Sequence, residues 1–145
     1  MKYLFKKICI ASDHAGFNIK ESIKHFLINK NISIIDLGPM NKNSVDYPDY
    51  AKKVSNRIKS KKSEVGILVC GSGTGMAISA NKIKGIRAAV CYNLKSTRLS
   101  RMHNDANIIS LGSRLTKKKV ALKLVSTFLK TKFESGRHLR RVKKI

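Results

Sequence analysis

The chain of 145 residues has no tryptophan, two prolines, three cysteines and eight acidic residues. Each scarcity excludes something. Aromatics make up 6% of the chain, too few to supply the stacking platforms on which single-stranded nucleic acids lie. The three cysteines, Cys9, Cys70 and Cys91, are odd in number and sit inside or at the ends of apolar runs, which excludes a disulfide framework and favours a reducing compartment. They also lack any metal-binding spacing, so no metal site is expected. No apolar run approaches the roughly 18 residues of a membrane span, and the apolar part of Met1–Lys7 is too short for a signal peptide. A cytoplasmic location is therefore expected.

Against eight acidic residues stand 31 lysines and arginines, for a net charge of +23. A balance of this kind attracts nucleic acid or an anionic membrane when the charge is concentrated. Here the lysines are spread along the whole chain, on the polar sides of helix-like segments. They read as a solvated surface with a general attraction for phosphorylated ligands, with neither nucleic acid nor membrane as the expected partner. A basic nucleic-acid-binding module is the rival reading, and it requires the lysines to gather on one face.

The length suits a single domain over residues 1–145, and no repeat, low-complexity linker or boundary interrupts it. Lys7–Ser12 reads as a buried strand, and Ala15, Ile19, Ile23, Phe26 and Leu27 follow at helical spacing. Ser33–Leu37 gives a second strand, ended by Gly38-Pro39, and Tyr47, Ala51, Val54 and Ile58 mark a helix starting near Pro48. Val65–Cys70 gives a third strand with a helix from about Gly75 to Lys82, and Arg87–Cys91 a fourth, followed by a polar helix with Leu94, Leu99 and Met102. Ile108–Leu111 makes the fifth. A last helix carries Val120, Ala121, Leu124, Val125, Phe128 and Leu129 on one face, with Gly136 at its end and a basic tail beyond. The alternation predicts an α/β chain: a single-domain, three-layer Rossmann-like fold with a five-stranded parallel sheet and helices on both faces.

Ligands of such sheets bind at the C-terminal strand ends. Ser12–Gly16, Cys70–Gly75 and Gly112–Arg114 should therefore share one rim. Gly71-Ser72-Gly73-Thr74-Gly75 is not a Walker loop, because no Gly-Lys-Ser/Thr follows, and it lacks the dinucleotide-binding spacing. Its glycines suit close approach of backbone N–H groups to a phosphate or a developing oxyanion, or else form a tight turn without a ligand. Cys70 ends its strand where helix N–H dipoles favour a thiolate, whereas Cys9 and Cys91 read as small buried hydrophobes. Asp13 and His14 face the same rim, and Asp13 also suits a helix N-cap. His103 lies in a polar stretch and offers acid–base chemistry near neutral pH. Arg137 and Arg141 are four apart, so a helix there would let them clamp a phosphate, while a solvated tail is the alternative.

Taken in order, Ala11–Gly16, Val45–Ala51, Cys70–Gly75, Ala80–Lys82 with Gly85–Ala88, Leu99–Asn107, Leu111–Arg114 and Gly136–His138 with Arg141-Val142 resemble one family across nearly the whole chain. It is the family of ribose-5-phosphate isomerase B and the galactose-6-phosphate isomerase subunits. The resemblance implies interconversion of ribose 5-phosphate and ribulose 5-phosphate through an enediolate, with no metal or organic cofactor. It makes Cys70 the base that moves the proton and His103 the residue that assists ring opening. Asp13 would orient hydroxyls, Tyr47 would line the pocket, and His14, Arg137 and Arg141, with Arg114 nearby, would meet the phosphate. Gly71, Ser72, Gly73, Thr74, Gly75 and Asn104 would hold the enediolate oxygens. The family is similar in being at least dimeric, as a dimer or tetramer with a composite site, the His103–Asn104 segment coming from the partner. Ser72 stands where many relatives carry threonine, and Met76 where one branch carries a glutamate base, which leaves the proton transfer to Cys70. A six-carbon sugar phosphate is the rival substrate.

Overall fold

A computed structural model describes all residues 1–145. Five strands, β1 (Ile8–Ser12), β2 (Ile34–Asp36), β3 (Val65–Cys70), β4 (Ala88–Val90) and β5 (Ile108–Gly112), pair in parallel in the order β2-β1-β3-β5-β4. Between them run α1 (Phe17–Ile28), α2 (Tyr47–Lys59), α3 (Thr74–Asn81) and α4 (Leu94–Asn104), and α5 (Lys118–Lys130) and α6 (Gly136–Val142) close the chain. The expected α/β architecture is present.

Side chains of a strand alternate between faces, and the central strands here are apolar on both. Ile8, Ile10, Ile67, Val69, Ile109 and Leu111 meet Ile23 and Leu27 of α1 and the buried side of α5. Cys9, Ala11, Leu68, Cys70 and Ile108 meet Ala51 and Val54 of α2 and Met76 and Ala80 of α3. Cys70 thus points to the α2/α3 side, at the C-terminal end of the middle strand. Exposed lysines stand on both outer layers, Lys52 and Lys53 on α2 and Lys118, Lys119 and Lys123 on α5. The charge is not gathered on one face, which removes the main support for a nucleic-acid reading.

Four expectations need correction. Helix α5 buries Ala121, Leu124, Val125, Phe128 and Leu129, but Val120 is exposed. Gly136 does not end α5; the helix stops at Lys130, and Gly136, at φ 47°, opens the separate helix α6. On α4 the buried positions are Thr97, Ser100 and Arg101, while Leu94 is exposed. Not every lysine is on a polar side either. Lys20 of α1 is fully buried, its ammonium 2.7 Å from Asp36 and 3.2 Å from Glu21.

Candidate active site

The turn after β3 is built by close contacts that leave no room for side chains. Gly73 caps α3 at φ 79°, and a Cβ on it would lie 2.9 Å from the Leu111 carbonyl carbon. At Gly75 the same atom would strike the Tyr47 ring at 2.7 Å. The turn is then tied across the sheet: Ser110 Oγ donates to the Gly73 carbonyl at 2.6 Å, and the N–H groups of Ser113 and Arg114 donate to the carbonyls of Cys70 and Gly71. Tyr92, 20 residues away in the chain, adds a hydroxyl donor to the Ser72 carbonyl at 3.1 Å.

Within this frame the Gly73 N–H donates to Cys70 Sγ at 3.1 Å, and the Thr74 N–H donates to Ser72 Oγ at 3.2 Å. The first N–H groups of an α-helix have no partner inside it. The first turn of α3 lines the cavity at Thr74 and Gly75, and its dipole favours negative charge beside the sulfur. Cys9 and Cys91 lie outside this turn and do not line the cavity. Burial pushes both thiols up from their ordinary values, so they remain protonated and serve as packing.

A cavity of about 530 Å³ opens over the turn, lined by Asp13, Tyr47, Cys70, Gly71, Ser72, Thr74, Gly75, Ile78, Arg114 and Leu115. The rim expected from three strand ends is therefore formed by one chain. The Asp13 N–H donates to Val69 at the end of β3, and one carboxylate oxygen accepts the Gly16 N–H at 3.0 Å, leaving the other for a ligand. Asp13 is thus a brace of the β1–α1 turn and not the N-cap, which is Gly16 itself. Gly16 is required there, since a Cβ would sit 2.2 Å from the Val69 oxygen.

The remaining candidates lie elsewhere. His14 is exposed, with Nδ1 accepting the Val45 N–H at 3.2 Å. His103, Asn104 and Arg141 line a second cavity of about 270 Å³ with His138, Val142 and Ile145, and Arg137 stands exposed on α6 beside it. In this second cavity the rings of His103 and His138 stack at 4.2 Å with 13° between their planes. Glu134 lies 3.9 Å from Nε2 of the first and 3.6 Å from Nε2 of the second. Glu134 carries no sequence signal and His138 figures only in the Gly136–His138 motif, without a role, although their spacing of four residues before and into a short helix places them on one side. Burial, then the neighbouring His103, Arg137 and Arg141, hold the His138 imidazole below its ordinary value against the pull of Glu134. The His103, Glu134 and His138 ligand atoms lie within 4.8 Å of one another, but near-parallel rings direct their lone pairs side by side, which fits an ion poorly. No helix is long and apolar enough to cross a membrane.

The model of the family described as Ribose/Galactose Isomerase matches residues 8–145. The chain is 41% identical over 140 residues to ribose-5-phosphate isomerase B of Escherichia coli, covering 97% of this chain and 94% of that one. The solved structure of Clostridium thermocellum ribose-5-phosphate isomerase B superimposes with a TM-score of 0.94 at 49% identity, over 95% of this chain and 93% of that one. The Mycoplasma genitalium ribose-5-phosphate isomerase B, solved with bound ribulose-5-phosphate, gives 0.90 at 42% identity, over 94% and 91%.

Proposed function

The chain belongs to the ribose/galactose isomerase family, and we propose that it interconverts D-ribose 5-phosphate and D-ribulose 5-phosphate. The observation that carries this reading is Cys70, a residue only 4% exposed, lining a cavity together with the glycine turn, the Asp13 carboxylate, the Arg114 guanidinium and the Tyr47 ring.

Isomerisation moves a proton from C2 to C1 of the open-chain sugar. The Cys70 thiolate takes the C2 proton, the electrons of that bond form the enediolate, and the S–H, having exchanged with solvent, delivers a proton to C1 while the hydroxyl proton passes from O2 to O1. Negative charge develops on the oxygens, and the N–H groups of Gly71–Gly75 stabilise it. Asp13 orients the hydroxyls, and Tyr47, resting on Gly75, lines the wall beside them. Arg114 lies at the mouth next to Gly71.

His103, Asn104, Arg137 and Arg141 lie outside this cavity in one chain. The reading therefore takes the working unit to be a homodimer, or a tetramer built from it, in which the partner brings His103 and Asn104 to Cys70. His103 assists opening of the furanose ring, and His14, Arg137 and Arg141 bind the phosphate. This chemistry requires neither a metal nor an organic cofactor. The role fits the pentose phosphate pathway in the cytoplasm. A coupled assay with ribose 5-phosphate beside galactose 6-phosphate and allose 6-phosphate tests the assignment: conversion of the pentose is expected, and preference for a hexose would move it to the sister reaction.

A further inference from the structure

The second cavity holds two features that the proposed reaction leaves unused. His138 is 6% exposed, and its Nε2 is buried without a hydrogen-bond partner. Such a group normally costs on the order of 1–3 kcal/mol, and it persists where it serves something else. Glu134 is exposed, and its N–H donates to the Met102 carbonyl at 3.0 Å, so its backbone is tied to the last turn of α4.

We infer that Glu134 and His138 are positioning residues for His103, clamping its ring from one face and one edge so that it meets the sugar in a single orientation. The inference rests on the reading of His103 as the ring-opening residue. His138 supplies the face, stacked at 4.2 Å, and Glu134 supplies the edge, one carboxylate oxygen lying 3.9 Å from His103 Nε2 and 3.6 Å from His138 Nε2, near enough to close onto either as a charge develops. The charges around the stack sort the protons. Burial, His103, Arg137 and Arg141 all disfavour a charged His138 and only Glu134 favours one, so His138 serves as a neutral stacking partner and the proton transfers of ring opening are left to His103. Ring opening needs this: the C1–O4 bond breaks as the O1–H proton leaves and O4 gains a proton. An imidazole that receives and returns that proton must carry its charge only briefly and in place.

Ribose 5-phosphate is cyclic, whereas ribulose 5-phosphate cannot close a furanose ring because its O5 is esterified. Exchange of solvent deuterium into C1 of ribulose 5-phosphate therefore uses the enediolate step without ring opening. With Glu134→Gln and His138→Phe in the full oligomer, kcat from ribose 5-phosphate should fall about ten- to a hundredfold, the scale of a misplaced acid–base group, with KM nearly unchanged. Exchange into ribulose 5-phosphate should stay within about twofold of the parent. Glu134 is exposed, so its variant reports even where His138→Phe fails to fold. His103→Ala is the control. If it shows the split between cyclic and open-chain substrate and Glu134→Gln does not, the positioning role is wrong; if His103→Ala itself shows none, the ring-opening reading of His103 has failed instead.

Discussion

The N–H of Gly73 points at the sulfur of Cys70 across 3.1 Å, from a turn whose φ of 79° belongs to glycine. One backbone geometry thus sets both the start of α3 and the surroundings of the proposed base. Gly73→Ala forces a left-handed residue against the Leu111 backbone, at a cost of about 1–3 kcal/mol. Urea denaturation should show that loss. Turnover should fall more than the stability loss explains, because the donor to Cys70 moves with the turn.

Asp36 and Lys20 give a second test. Burial alone would raise the Asp36 carboxyl, but hydrogen bonds from Lys20, Lys24 and the Gly38 N–H hold it below its ordinary value. A carboxylate lowered on folding stabilises the native state above its unfolded value, and that stabilisation is lost as pH falls through the lower folded value. Asp36→Asn should cost about 3 kcal/mol at pH 7, the low end for breaking a buried pair, since Glu21 still faces Lys20. The difference from the parent should begin to shrink below about pH 4, where Asp36 of the unfolded chain protonates, and go on shrinking as pH falls through the lower folded value. Urea midpoints across pH 2–7, on the order of the carboxylate range, check it.

Arg137 and Arg141 share α6 and face the sugar's phosphate in the proposed dimer. A hydrogen bond to a charged group is worth about 1.5–3 kcal/mol, so Arg137→Ala or Arg141→Ala should raise KM about ten- to a hundredfold. Steady-state kinetics should find kcat changed much less.

A composite site predicts rescue between two dead proteins. Cys70→Ala and His103→Ala should each be inactive with ribose 5-phosphate, but mixed and re-equilibrated they should form hybrids in which one of two sites is whole. Activity should return to about a quarter of the parent under random pairing in a twofold dimer. No rescue after verified subunit exchange would mean that both residues act within one chain.

The sheet was legible because its strands are short apolar runs separated by helical spacing, and local pattern and global fold agree there. The end of α5 was not. No glycine or proline marks Thr131; the helix stops where the Thr131 carbonyl accepts Arg101 Nε at 3.2 Å, a contact from α4 that local sequence does not carry. Lys20 was misread for the same reason. Its helical position reads as polar surface, and only the arrival of Asp36 at the end of β2 makes burial tolerable. Of the site, Asp13, Cys70, the glycine turn and Arg114 were legible as residues following strands. Glu134 and His138 were hidden because their meaning depends on α4 and α6 meeting in space.

The most direct test of the central claim is conversion of ribose 5-phosphate in deuterium oxide, followed by proton NMR, with the parent and Cys70→Ala side by side. The parent should yield ribulose 5-phosphate carrying deuterium at C1, while Cys70→Ala still binds the sugar phosphate but neither converts nor exchanges it. Normal conversion by Cys70→Ala, or none by the parent, would contradict the account.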